Sequence, residues 1–189
     1  MAEIQSLEDI CNALIDWCDN FEDKCMECMD SNQSVFVASI REQLYSGIDG
    51  SNNFISPTYE SDPFFNEKRA CFYDDERGHF VNCYHHPERY IEWKRRITPP
   101  VASQMLGLPA RPDEVPNLFI NGKFHSEISS SKGDGQIDID VVEAGDGPAI
   151  IGKFGSQILE IGDVATKYFN ERYLLPHLQD YFDSLTNGL

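Results

Sequence analysis

The sequence predicts an α+β fold: amphipathic helices first, then a loop-rich aromatic insert, a small antiparallel sheet and a C-terminal helix. Three observations predict it. Residues 6–30 repeat apolar side chains at three- and four-residue steps, "GQIDIDVVEAG" alternates apolar and polar residues, and residues 163–185 return to the helical step. Together they describe one domain in three parts: a helical segment over 1–47, the insert over 48–116, and a sheet with its terminal helix over 117–189. At 189 residues, 41% hydrophobic and 12% aromatic, the chain carries enough apolar side chains for a real core.

The first helix is read from one stripe, formed by Leu7, Ile10, Cys11, Leu14, Cys18, Phe21, Cys25 and Cys28. Ser6 and Asp9 resemble a capping box, and acids crowd the first turn, where the helix dipole favours them. The opposite face is acidic: residues 1–30 hold Glu3, Glu8, Asp9, Asp16, Asp19, Glu22, Asp23, Glu27 and Asp30 against the single cation Lys24. Such a helix offers one face to a core or a neighbouring subunit and the other to water. A second helix follows in "SNQSVFVASIREQLYSG", with Ser34 as the expected cap, Phe36, Ile40 and Leu44 in four-residue steps, and Gly47 as a left-handed stop.

From Ile48 the chain is turn-rich, and its aromatics recur without a clean period. "ERYIEWKRRITPP" reads as a short helix ended by Pro99-Pro100. Basic residues gather here, at Lys68, Arg69, Arg77, Arg89, Lys94, Arg95 and Arg96. A long ordered loop is uncommon unless it is functional or pinned, so the aromatics are expected to pack against something. From Leu118 onward the expectation is β. Asn121-Gly122 is a tight-turn pair that would align two strands, placing Phe119, Ile120, Phe124 and Ile128 on a sheet surface. Ile137, Ile139 and Val141 alternate with Gln136, Asp138 and Asp140 as a half-buried strand, and "AIIGKFGSQILEIG" is read as a further strand with a loop. The last helix is expected to have Asp163 as its cap and to kink or restart at Pro176.

A net charge of -17 and a pI near 4.5 argue against duplex DNA or an anionic membrane as the main partner. No apolar run is long enough to span a bilayer. The acidic start "MAEIQSLEDICNALIDW" differs from the basic, then greasy, pattern of a signal peptide, so synthesis in the cytoplasm is expected. Six cysteines in such a chain are expected to be reduced thiols.

The side chains that could carry chemistry are few. Cys25 and Cys28 form a C-x2-C, and Cys83 and His85 could complete four zinc ligands, which gives the alternative reading of a zinc-stabilised binding or regulatory module. Against it, Cys11, Cys18 and Cys25 follow a seven-residue step on one helix stripe, where a thiol acts as a small hydrophobe. "CYHHPER" offers His85 and His86 without a nucleophile or metal motif to serve. "GDGQIDIDVVEAGDG" lacks the ligand spacing of a calcium loop, and "GDGPAIIGKFG" lacks the Lys-Ser/Thr of a phosphate loop. Neither a catalytic site nor a cofactor is predicted.

Several short motifs occur in a fixed order: "QLYSGIDGSNNFISPTYESDPFF", "YIEWKRRITPP", "NLFINGKFHSEI", "IIGKFGSQI" and "YLLPHLQDYF". Over residues 40–185 this order resembles the tail-completion and minor tail proteins of tailed bacteriophages, in the form found in phages and prophages of gut Bacteroidetes. The chain departs from the pattern at Asn121, where Thr is usual, and at Phe124 and His125, where Leu and Arg are frequent. Its acidic, cysteine-rich first helix has no counterpart there.

The resemblance implies a non-enzymatic virion protein, made in the host cytoplasm. It would be a ring-forming subunit of the head–tail connector, neck or proximal tail. Its partners would be its own copies and the adjacent portal, connector or tail rings, with no sequence-specific nucleic acid and no membrane. Subunits of a ring meet head to tail through two different patches, for which the acidic helix and the basic insert are the expected pair. An acidic ring would also present a lumen that DNA passes without sticking. The residues expected at interfaces are Phe54, Tyr59, Phe64, Phe65, Tyr90 and Trp93, as aromatic anchors, and the Asn121-Gly122 turn.

Overall fold

A computed structural model of the chain describes residues 7–141 and 145–186. It is α+β, and it is organised around one helix. In α2 (Gln33–Tyr45) the residues Val37, Ile40 and Leu44 turn one face inward, and Ile40 and Leu44 are fully buried. Ile55, Phe124, Ile128, Val141 and Ile158 close around them as the main core. The four-residue step legible in the sequence is this face.

α1 (Leu7–Ser31) precedes α2, and its C-terminal end joins the core through Cys28, which packs with Phe36 and Phe169. Within the insert, β1 (Cys71–Asp74) and β2 (His79–Asn82) form an antiparallel hairpin with Phe72 opposite Val81. The hairpin lies against α3 (Pro87–Ile97), which starts on a proline and carries Lys94, Arg95 and Arg96 in its last turn, where the dipole favours cations. The chain continues through α4 (Lys123–Glu127) into a second antiparallel hairpin, β3 (Ile128–Lys132) and β4 (Ile137–Val141). The last stretch holds α5 (Gly147–Phe154), a 3-10 turn over Ser156–Leu159, α6 (Asp163–Phe169), a π turn over Asn170–Leu174 and α7 (Leu175–Thr186).

Several expectations are corrected. Asn121-Gly122 does not join two strands: Gly122 takes φ +80 and leads directly into α4, so Phe124 lies on a helix. Phe119 and Ile120 sit in the loop before it. "AIIGKFGSQILEIG" is helical, because Pro148 starts α5 and Gly155 ends it at φ +88. Ser34 lies inside α2, whose N-cap is Asn32, and Asp163 is the first residue of α6 after the cap Gly162. Ser6, half of the expected capping box, and residues 142–144, the end of the expected strand, lie outside the described residues. Pro176 restarts the terminal helix as expected: it has no N–H and crowds the carbonyl four residues back, and the turn just before it widens to π.

The insert is a folded lobe rather than a loop. Tyr59, Phe65, Ala70, Phe72, Val81, Cys83 and Trp93 form a cluster of their own. Tyr90 is its hub, with ring centroids 5.0 Å from Tyr59, 5.4 Å from Phe65, 5.5 Å from Phe72 and 5.2 Å from Trp93. Aromatic pairs at such distances add about 0.5–1.5 kcal/mol each beyond area burial.

Candidate functional site

The motifs that stand apart in the sequence meet in space around Asn117, which is fully buried. Lys94, from "WKRRITP", is 1% exposed, and its ammonium nitrogen donates to Asn117 Oδ1 at 2.8 Å and to the Phe119 carbonyl. Asn117 Oδ1 also accepts the Phe119 N–H at 3.2 Å, and the Asn117 carbonyl accepts from His125 Nε2 at 2.9 Å. Arg111 donates to the carbonyls of Val115 at 3.0 Å and Thr98 at 2.9 Å. Arg41 reaches from α2 to the carbonyls of His125 at 2.6 Å and Ile128 at 3.1 Å. Four basic side chains are thus solvated by backbone carbonyls, and "PNLFING" is held from three sides.

This setting shifts both titratable members. Burial pushes the Lys94 ammonium down from 10.5 to about 7, and Arg111 adds to the effect. Burial likewise lowers His125 from 6.5 to about 4, with Arg41 and Lys94 acting in the same sense and its hydrogen bond to Asn117 opposing. His125 is therefore neutral at pH 7, with its proton on Nε2. Leu118, at φ +52, shows how firmly the loop is held, since a leucine adopts that region only when its surroundings dictate it.

"QLYSGIDG" forms a second joint. Gln43 is buried, accepts the Gly162 N–H at 3.0 Å and donates to the Glu160 carbonyl at 3.1 Å. Asp49 Oδ1 accepts the N–H groups of Ser51 and Asn53, both at 2.9 Å, which closes the following turn. At Gly50 a Cβ would stand 2.3 Å from Glu160 Cβ, so only glycine lets these backbones approach.

The aromatic residues expected at interfaces divide. Tyr59, Phe65 and Trp93 are buried and Tyr90 is half-buried, so these four build the lobe's own core rather than standing out as anchors. Burial raises the Tyr59 phenol to about 12 and drives that of Tyr90 higher still. Phe54 and Phe64 are exposed. Phe64, with Tyr73, Phe80 and Ile120, opens onto a cleft of about 730 Å³ between the lobe and the main body. Asn121 is exposed beside it, its Oδ1 accepting the Lys123 N–H at 3.1 Å.

The basic insert is not an open patch. Arg96 pairs with Asp74 at 2.9 Å and with Glu76, Arg77 with Asp74 at 3.5 Å, Arg69 with Glu67 at 3.0 Å, and Arg95 with Asp113. Burial pushes the Asp74 carboxyl up, but its bonds to Arg96 and Arg77 outweigh this and hold it below its ordinary value. Lys94 is inside. The expected complement to the acidic helix is therefore largely neutralised within its own lobe.

The four possible zinc ligands are not brought together. Cys28 packs with Phe36 and Phe169, and Cys83 lies in the aromatic lobe with its thiol on the Ala70 carbonyl at 3.3 Å. His85 is exposed and bonded to Asn66 at 3.0 Å. Burial pushes the thiols of Cys25, Cys28 and Cys83 up, away from the thiolate a metal binds. Among the described residues no group of three or more His, Cys, Asp or Glu converges as a metal site. The cysteine stripe is only partly a core feature, since Cys11 and Cys18 are exposed.

α1 is the least covered element. It pairs with α7 along one side, with Trp17 6.2 Å from Phe182, the Tyr181 hydroxyl on the Asp16 carbonyl at 3.3 Å, and Lys24 5.2 Å above the Tyr181 ring. Cys28 is its only buried residue. Leu7 is 78% exposed, Leu14 47% and Ile15 55%, and Ile10 and Phe21 are also open. No described helix is long and apolar enough to cross a membrane. No family model, curated protein or solved structure matches the chain.

Proposed function

We propose that the protein is a structural, non-catalytic subunit that works by assembly: a ring-forming component of the head–tail connector, neck or proximal tail of a tailed bacteriophage. The observation that carries the reading is the α1–α7 arm. A 25-residue helix with Leu7, Ile10, Leu14, Ile15 and Phe21 open to water carries a row of exposed apolar side chains of the kind that marks an interaction site. In a ring each arm would cover its apolar stripe on the next protomer, and the head-to-tail contact would close on itself.

The motif order supports the phage assignment, and the motifs also have a shared physical role. "QLYSGIDG", "WKRRITP" and "PNLFINGKFH" are the joints of one body, held by Gln43, Lys94, Arg111 and His125. Such joints yield a rigid block carrying a separate arm, a suitable design for stacking rings. Contact through the arm would be mainly apolar, because Arg69, Arg95 and Arg96 already face carboxylates of their own lobe.

The test is the mass of the purified full chain by light scattering, with negative-stain images of the same sample. Closed rings support the reading, as does a monomer that assembles when portal or connector proteins are added. A monomer that stays a monomer with all of them refutes it.

A further inference from the structure

The β3–β4 hairpin has one guarded edge and one open edge. On the β3 side, α2 closes it: the Ser130 hydroxyl donates to the Gln33 carbonyl at 3.5 Å, and Arg41 donates to the Ile128 carbonyl at 3.1 Å. The β4 side is different. The Gly133 N–H donates to the Gln136 carbonyl at 2.9 Å, which fixes the alternation of the ladder. Asp138 and Asp140 then exchange bonds with β3, whereas Ile137, Ile139 and Val141 direct their N–H and C=O groups outward. The Val141 N–H is closed off by Asp140 Oδ1 at 2.7 Å. No described residue bonds the outward groups of Ile137 and Ile139.

This open edge faces a cleft of about 1040 Å³ that runs along β4 from Gly135 to Asp140. Its floor is apolar and incompletely covered, with Met29, Ile151, Leu159 and Ile161 all half-buried. Its rim is acidic. Asp138 and Asp140 stand on the wet face of the strand, Glu160 also lines the cleft, and all three are exposed. Unpaired strand edges are normally blunted by charge, proline or a covering element, because they template another chain. Among the described residues no element bonds this edge on the side where the apolar floor lies.

We propose that the β4 edge is a strand-addition site for an extended segment of a partner protein in which apolar and basic residues alternate. Each part of the cleft sets one requirement. The outward amides and carbonyls of Ile137 and Ile139 ask for an extended backbone, which supplies both donors and acceptors at the strand repeat. The floor takes every second side chain, best filled by Val, Ile or Leu. Residues in between come to lie beside Asp138 and Asp140 on the same face, where Lys or Arg makes a favourable cross-strand pair and Glu an unfavourable one. The five residues of β4 set the length of the core contact. The site is remote from the α1 stripe in composition and chemistry, and it stands whether or not the chain forms rings.

The experiment uses the full chain and a labelled peptide, Lys-Val-Lys-Val-Lys-Val-Lys, followed by fluorescence anisotropy and by backbone amide NMR. Saturable binding is expected, with the amides of Ile137 and Ile139 shifting and their hydrogen exchange slowing. N-methylation of the peptide residues that face β4 should abolish binding, because it removes the ladder donors. Glu in place of Lys should weaken it about tenfold, and Asp138→Lys should produce a similar loss for the Lys peptide while improving the Glu peptide. Asp138 is exposed, so an unchanged melting temperature serves as the folding control. Equal binding of the N-methylated peptide would reveal a general apolar cleft and overturn the proposal. Indifference to peptide charge, or no binding at about millimolar peptide, overturns it as well. None of these readouts depends on the oligomer mass, so failure here and failure of the ring reading are separate results.

Discussion

Lys94 gives the most demanding test of how the body is held together. Lys94 is 1% exposed, and its ammonium rests on Asn117 Oδ1 and the Phe119 carbonyl. Burial lowers it from 10.5 to about 7. The sign follows from proton counting. Between pH 7 and 10.5 the unfolded chain holds a proton that the folded chain has released, so stability rises with pH across that window. The slope is about 1.4 kcal/mol per pH unit, and the whole window amounts to about 5 kcal/mol. Below pH 7 both states are protonated and the penalty is constant. Lys94→Met removes the titration but takes a donor from the Phe119 carbonyl and leaves Asn117 Oδ1 with the Phe119 N–H alone, at about 1–3 kcal/mol for each bond lost. The two effects nearly offset at pH 7, so the variant should match the wild type there and fall behind by several kcal/mol at pH 10. Urea unfolding at pH 7, 8.5 and 10 measures this, read by Trp93 fluorescence in a Trp17→Phe background. The difference between the two proteins is the quantity compared, because it cancels the other titrations. A difference that stays flat from pH 7 to 10 would refute the argument, since it would mean that the fold keeps the charge on Lys94.

Three further outcomes are expected. His125, lowered from 6.5 to about 4, is neutral in the fold; stability should drop by about 3 kcal/mol as pH falls from 6.5 to 4, and His125→Gln should remove that part of the acid loss in denaturant titrations. Leu44, fully buried against Ile40, should cost about 2–5 kcal/mol when changed to alanine, measured by urea unfolding at neutral pH. Leu14→Glu with Ile15→Glu should lower the assembled mass seen by light scattering while leaving the melting temperature of the protomer nearly unchanged, because both side chains are exposed.

The parts of the fold that the sequence made legible are those set by local period. The stripe of α1, the inward face of α2 and the alternation of β4 depend on neighbours three, four or two residues away. The parts it hid depend on distant neighbours. Asn121-Gly122 has the composition of a hairpin turn, yet the buried His125 and Phe124 that follow are drawn under α2, and only a helix delivers both there. "AIIGKFG" is short, apolar and bounded by glycines, which suits a strand as well as a helix until Pro148 is weighed as a helix start. The β1–β2 hairpin was hidden because only Phe72, Asp74 and Val81 face inward, too few to show a period of two. Lys94 could have been found only by noticing that it adjoins Trp93 in a helix whose other basic residues lie on the wet side.

The buried basic cluster also joins segments that lie far apart in the chain. A lysine, two arginines and a histidine inside a chain of net charge -17 would be expected to seek carboxylates. Instead, in the cluster around Asn117, they face the carbonyls of Thr98, Val115, Asn117, Phe119, His125 and Ile128. Backbone carbonyls are supplied by the course of the chain and not by residue type, so between Val115 and Ile128 the side chains that take part in the cluster are those of Asn117 and His125. The donors come from α2, α3, α4 and the segment before "PNLFING". A substitution at a donor should therefore be felt in every segment that it joins, whereas one at exposed Ile120 or Asn121 should leave stability nearly unchanged.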